Sequence, residues 1–209
     1  GFIIIKSRKI FAKIFNLSAD FYSNNRDLAF LAMQHFGMND IWEVSEGLTY
    51  SKKRWNRLEK DYLPPTLPIT LEKYCKELIK TYAPESKGKK WVTFHTIPSS
   101  IDVGRGVDIN SYYISIDYLI RKGFHVFRIG DSTMPKCKSI NGLTDLAHTK
   151  HDNSIDLFLI QGAEFHFGVQ SGPSFVAHLF NKDVYLTNLV DWSTAIPRKK
   201  DSFFIMKKF

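Results

Sequence analysis

Polar residues recur at the downstream ends of short apolar runs in the second half of this chain. His95–Thr96 follows "WVTF", Arg128–Asp131 follows "HVF", Val169–Gly172 follows "EFHFG", and Thr187–Asn188 closes "KDVYL". These spots hold groups that bind anions or exchange protons. Runs of this length and apolarity read as strands. In an open parallel sheet, ligands sit beyond the carboxyl ends of the strands. The expectation is that the four spots converge on one sheet edge and form a site.

The turn "VQSGPS", residues 169–174, passes from strand to helix. Such a passage presents free backbone N–H groups and the positive end of a helix dipole, a combination that binds phosphate. Ser171 caps the helix or donates to an oxyanion. Gly172 lets a ligand approach the backbone, and Pro173 suits the first helical turn. Without a ligand the same turn is a plain N-cap, which is the reading the turn alone favours. "GVQSG" departs from the G-x-S-x-G nucleophile elbow, which argues against a hydrolase.

In "RIGD", residues 128–131, Arg128 can pair with a phosphate in bidentate fashion. Asp131 could hold a sugar hydroxyl or a base edge. The alternative is an Arg–Asp pair that stabilises a loop. "GRGVDI", residues 104–109, offers the cation Arg105 and a helix cap at Asp108. There is no G-x-G-x-x-G, no P-loop and no D-x-D triplet. His148, His151 and Asp152 have metal-ligand types, but they fall in a predicted loop without further ligands, and no metal is expected.

The elements that must position these groups can be read from periodicity. "LPPTLP", residues 63–68, is the best boundary in the chain. Thr70 then caps a helix, "LEKYCKELIKTYA", ending before Pro84. From residue 91 the expected order is strand "WVTFH", helix "DINSYYISIDYLIRKG", strand "FHVFRIG", short strand "LTDLAH", helix "SIDLFLIQGA", strand "EFHFGV", helix "GPSFVAHLFN" and strand "KDVYLTN". Strands alternating with helices imply parallel crossovers. The fold class is therefore α/β, a Rossmann-like, mainly parallel sheet flanked by helices over 91–209. A linker and helix over 63–90 precede it, and before that comes a mostly helical N-terminal segment over 1–62. Within that segment 26–36 reads as a helix, and 1–20 as a strand and helix or as a basic amphipathic helix.

Composition narrows the class further. Apolar content of 44%, with 17 Phe and 9 Tyr, supports a substantial core. No apolar run approaches the ~20 residues of a membrane span. Residue 1 is Gly rather than Met, so the sequence reads as part of a longer chain. Net charge of +8 favours an anionic partner or serves solubility. The basic run Lys52, Lys53, Arg54, Arg57 and Lys60 beside Trp55 reads as a solvated helix face, and no nucleic-acid partner is expected. Cys75 and Cys137 have no metal or redox spacing, which fits a reducing compartment such as the cytoplasm.

The segment "VDINSYYISIDYLIRKGFHVFRIGDSTM" resembles the "ADI-x-x-Y … G-x-x-V-x-R-x-G-D-x-x-M" pattern of a family of bacterial glycosyltransferases linked to surface polysaccharide synthesis. "DLAHTKHDNSIDLFLIQGAEFHFGVQSGPSFVAHLFNKDVYLTN" is similar to that family's "Y-A-x-S … D-x-x-D-x-F-L … F-x-x-G-x-x-S-G … P-x-x-x-T-N" order. The resemblance covers about residues 70–209. It implies a GT-B arrangement of two Rossmann-like domains, with 91–209 mostly the donor-binding domain and 1–62 the remains of the acceptor-side domain. It also implies a nucleotide-diphosphate sugar donor and a glycan or lipid-linked glycan acceptor, with no cofactor and no chelated metal.

On that reading Arg128, Ser171 and Gly172 hold the diphosphate, with Gly130 and Gln170 beside them, and Asp131, Thr187 and Asn188 contact sugar or base. His95 and Asp108 are the candidates for catalytic base. Where the family reads "H-V-R-E", this chain reads "HTIP", with Ile97 at the arginine position and Arg105 as its substitute from the next loop. Such an enzyme would work in the cytoplasm, with basic residues available for contact with the inner membrane face. The other readings are a nucleotide-sugar epimerase of the same fold and a non-catalytic nucleotide-sugar or glycan-binding module.

Overall fold

The computed structural model describes residues 64–149, 152–190, 199 and 201–208. The expectations for residues 1–62, the acceptor-side segment included, and for His151 lie outside them. The chain divides into two compact units, Gly1–Ile69 and Thr70–Phe209. The second carries the sheet. Among the described residues no helix is long and apolar enough to cross a membrane.

The described elements begin with helix α1 (Ile69–Tyr82), in which Thr70 lies inside the first turn rather than at the cap. Strand β1 (Trp91–His95) follows, then a 3₁₀ turn over Ile109–Tyr112 that runs into α2 (Tyr113–Arg121). Next come β2 (His125–Arg128), β3 (Leu143–Asp145), α3 (Ser154–Gly162), β4 (Phe165–Gly168), α4 (Gly172–Leu179), β5 (Asp183–Leu189) and β6 (Phe203–Met206). The six strands pair in the order β3-β2-β1-β4-β5-β6. Every pairing is parallel. This order is Rossmann-like, and it reverses direction between β1 and β4.

Alternation along each strand sends side chains to opposite faces. On one face Val92, Phe94 and Val126 join Ile109, Tyr112 and Ile116 of the α2 region in a buried apolar cluster. On the other, the Trp91 indole donates to the Leu159 carbonyl of α3 at 2.9 Å and stacks on Phe158. Strands buried on both faces read as continuous apolar runs, which is why the sequence exposes them.

The structure departs from the expected elements in three further places. The helix expected over 108–123 begins as a 3₁₀ turn capped by Asp108, and the α-helix proper starts at Tyr113. The third strand stops at Asp145, whose carboxylate accepts the Ala147 N–H at 3.2 Å and bends the chain into a 3₁₀ turn over Leu146–His148. The edge strand β6 has no counterpart in the sequence reading. All four of its residues, Phe203 to Met206, are exposed, so no in-and-out alternation marks it.

Candidate functional site

Parallel pairing places all strand ends on one side, and the register fixes their neighbours. His95 pairs with Gly168, Phe94 with Arg128, Arg128 with Asp145, and Gly168 with Leu186. His95, Arg128, Asp131, Gln170, Ser171, Gly172, Thr187 and Asn188 thus sit on the carboxyl edge of one sheet. They do not all face one open space.

At the β1/β4 switch point the backbones close tightly. The Val169 N–H donates to the His95 carbonyl at 3.0 Å. Gly168 has a φ of 137°, and a Cβ there would stand 1.9 Å from the same carbonyl oxygen. Only glycine fits both conditions. His95 is buried, and its Nδ1 has no hydrogen-bond partner. Burial, reinforced by the Arg128 guanidinium and opposed by Asp131, lowers the His95 imidazole to about 4. A neutral ring near pH 7 can accept a proton only weakly.

The turn after β4 is built as an N-cap. The Ser174 hydroxyl accepts the Ser171 N–H at 3.2 Å and donates to the Ser171 carbonyl at 2.7 Å. The Ser174 N–H also points to that carbonyl, and Pro173 has no N–H. Of the donors expected over 171–174, the Gly172 N–H is the one without a partner among the described residues. The Ser171 hydroxyl is buried and faces the Ser174 N–H in a capping box, without a hydrogen bond of normal geometry. A Cβ on Gly172 would meet nothing within 4 Å. The turn therefore offers one backbone donor, one buried hydroxyl and open space, a narrower set than an empty helix terminus would give. Gln170 is buried beside it.

Thr187 and Asn188 are held by Tyr112. The Thr187 hydroxyl lies 2.5 Å from the Tyr112 hydroxyl, and Asn188 Nδ2 donates to it at 3.3 Å. No spacing in the sequence signals this tie between the segment after β1 and the end of β5. Tyr112 packs on Phe94, and burial raises its hydroxyl pKa.

The arginines are paired. Arg128 is fully buried, and its Nη1 donates to the Pro135 carbonyl at 2.8 Å and to the Asp145 carboxylate at 3.0 and 3.1 Å. Its carboxylate partner is Asp145 rather than Asp131. Asp131 instead accepts the Thr133 N–H at 2.9 Å and the Thr133 hydroxyl. Arg105 forks onto Asp102, with Nε at 2.8 Å and Nη2 at 2.7 Å. Its backbone N–H joins the same carboxylate, and these bonds hold Asp102 below the usual carboxylate range. Gly130 has a φ of 141°, and a Cβ there would strike the Met134 thioether at 2.5 Å. Asp108 is exposed, and its Oδ1 accepts the Asn110 N–H at 2.9 Å and Asn110 Nδ2 at 2.8 Å.

A cavity of about 470 Å³ opens beyond the ends of β1 and β2. Thr96, Ser99, Asn110, Tyr113, Lys136 and Lys138 contribute to its wall, together with Asp108. The two lysines come from the β2–β3 crossover, an irregular segment with no spacing signal in the sequence. No family model, curated protein or solved structure matches the chain.

Proposed function

We propose that residues 91–209 are the donor-binding half of a GT-B glycosyltransferase. It moves a sugar from a nucleotide-diphosphate donor to a glycan or lipid-linked glycan acceptor without a chelated metal. The observation that carries this reading is the β1/β4 switch point. There a Rossmann-like sheet edge holds polar atoms of His95 and Ser171, without hydrogen bonds of normal geometry, beside the open approach to Gly172. Buried polar atoms without partners are uncommon in finished protein interiors. The diphosphate would take the Gly172 N–H and the Ser171 hydroxyl, and the sugar would lie toward His95. Arg128 would act from beneath as a fixed positive charge.

A binding module without turnover is the second reading. Its support is that Arg105 and Arg128 are each already paired with a carboxylate. Arg105 has its Nε and Nη2 committed to Asp102, and Arg128 spends its Nη1 on Asp145 and keeps only Nε and Nη2 without partners. Calorimetry with UDP- and GDP-sugars separates the cases. The wild type should bind one of them, and Gly172→Val should weaken binding at least about tenfold while circular dichroism stays unchanged. Equal binding by a folded Gly172→Val variant would move the diphosphate elsewhere. Release of nucleoside diphosphate on adding a glycan acceptor would select the enzyme over the module.

A further inference from the structure

We propose that the cavity bounded by Thr96, Ser99, Tyr113, Lys136 and Lys138 binds the phosphate group of a phosphorylated small molecule. This site is separate from the α4 turn and does not rest on the glycosyltransferase reading. Its volume of about 470 Å³ lies within the range of small-molecule pockets, ~300–1,000 Å³. Its charge is lopsided, with two lysines against the single carboxylate of Asp108. Asp108 Oδ1 is occupied by two donors from Asn110, which reduces its repulsion of an anion. Thr96 and Ser99 also line the cavity, and hydroxyls can serve as neutral donors to an anion.

The lysines differ from ordinary surface lysines because the segment that carries them is fixed at three points, Pro135, Cys137 and Lys138. The Pro135 carbonyl accepts from Arg128 at 2.8 Å. The Cys137 N–H donates to Asp145 at 2.9 Å, and the Lys138 N–H donates to the Tyr113 hydroxyl at 2.8 Å. The Lys138 ammonium also lies 4.7 Å from the centre of the Tyr113 ring. Segment 135–138 is thereby tied to the buried Arg128–Asp145 pair on one side and to α2 on the other. A charge held in place binds an anion with less ordering cost than a mobile one. Arg128 is thus a positioning residue for Lys136 and Lys138, one layer behind the phosphate.

The test is a titration of the full chain with inorganic pyrophosphate, followed by amide NMR and calorimetry at low salt. Shifts should concentrate at Thr96, Ser99, Asn110, Lys136 and Lys138. Lys136→Gln with Lys138→Gln should weaken binding about tenfold, as expected for loss of charge-assisted contacts. Lys136→Arg with Lys138→Arg should recover most of it, and Gly172→Val should leave it unchanged. Added UDP-glucose that binds alongside pyrophosphate keeps the two sites separate. Displacement would place the donor's own diphosphate in the lysine cavity, which preserves this inference and overturns the α4 assignment. Absence of binding at millimolar pyrophosphate, equal binding by the double glutamine variant, or shifts centred on 170–174 would each overturn the proposal.

Discussion

The sheet carries two seams on its carboxyl side, and they are built alike underneath and differently on top. Beneath the β2/β3 seam, the His125 Nε2 and the Thr144 hydroxyl share a hydrogen bond of 2.8 Å. Between β1 and β4, the His166 Nδ1 and the Thr93 hydroxyl share one of 3.0 Å. Above them the seams diverge. The β2/β3 edge ends in a buried ion pair, Arg128–Asp145, which also holds the Pro135 and Cys137 backbone. The β1/β4 edge ends in a glycine fitted against a carbonyl and in polar atoms of His95 and Ser171 without hydrogen bonds of normal geometry. The first seam is anchored by charge and presents lysines to solvent. The second is anchored by backbone fit and leaves room for a ligand. Similar residue types at strand ends therefore have different duties, set by what lies beside them.

The largest effect should follow from breaking the charge anchor. Arg128→Met leaves the Asp145 carboxylate partly buried without its cation, and stability should fall by about 3 kcal/mol in urea denaturation. Adding Asp145→Leu should return a good part of that loss, because the unpaired charge is then gone. A single-variant loss below about 1 kcal/mol would show that the seam does not depend on the pair. Gly168→Ala tests the other anchor. Its φ of 137° and the 1.9 Å approach to the His95 carbonyl predict a loss of about 2–3 kcal/mol. A variant as stable as wild type would mean that β1 and β4 can separate at no cost.

Burial at both seams makes stability pH-dependent. Burial lowers His95 and His125 to about 4 and His166 to about 3. The unfolded values lie near ~6.5. Between ~6.5 and the folded values the unfolded chain binds more protons than the folded one, so stability falls as pH drops through that window and is fully present above it. Urea midpoints measured from pH 7 to pH 4 should decline steadily. His166→Gln should flatten the decline by up to about 1 kcal/mol per pH unit, and His125→Gln by less, because His125 has Glu85 nearby at 3.8 Å to favour its charged form. Equal flattening by both would erase this difference between the seams.

Much of the sheet was legible in the sequence because buried parallel strands are apolar on both faces and end in polar residues. "WVTFH" and "SIDLFLIQGA" map onto β1 and α3 to within a residue. What was not legible depends on partners distant in sequence. Arg128 gives no sign in the sequence that its Nη1 is committed to Asp145, 17 residues on, while its Nε and Nη2 have no partner. Tyr112 looks like a core aromatic until its hydroxyl meets Thr187 and Asn188. Lys136 and Lys138 carry no periodic signal, since the crossover that presents them has no helix. Strand β6 was hidden for the opposite reason, an apolar run with every residue exposed at the sheet edge.

A smaller effect separates two duties for Asp108. As an N-cap bound to Asn110, its replacement by Ala should cost about 1 kcal/mol, while Asp108→Asn keeps an acceptor and should cost less than half of that. As a catalytic base, Asp108→Asn would instead abolish most turnover at unchanged stability, since an amide cannot take the proton. Denaturation and donor turnover on the same pair of variants assign the residue to one duty.

The smallest expected effect lies at Gly172, the counterpart of Gly168 on the same turn. Gly168 is required by its own backbone, whereas Gly172 starts α4 without a positive φ and with nothing within 4 Å of a would-be Cβ. Structure alone therefore gives no reason for glycine there, and a residue with a Cβ would also lose less entropy on folding. Gly172→Ala should change stability by no more than about 0.5 kcal/mol, in the stabilising direction if at all. If the free space belongs to a diphosphate, the same methyl should weaken sugar-nucleotide binding measurably, though less than Val. A loss of stability above about 1 kcal/mol would mean that Gly172, like Gly168, serves the fold. An unchanged stability with unchanged affinity for every sugar nucleotide that binds would leave the open approach without a ligand and remove the β1/β4 edge from the site.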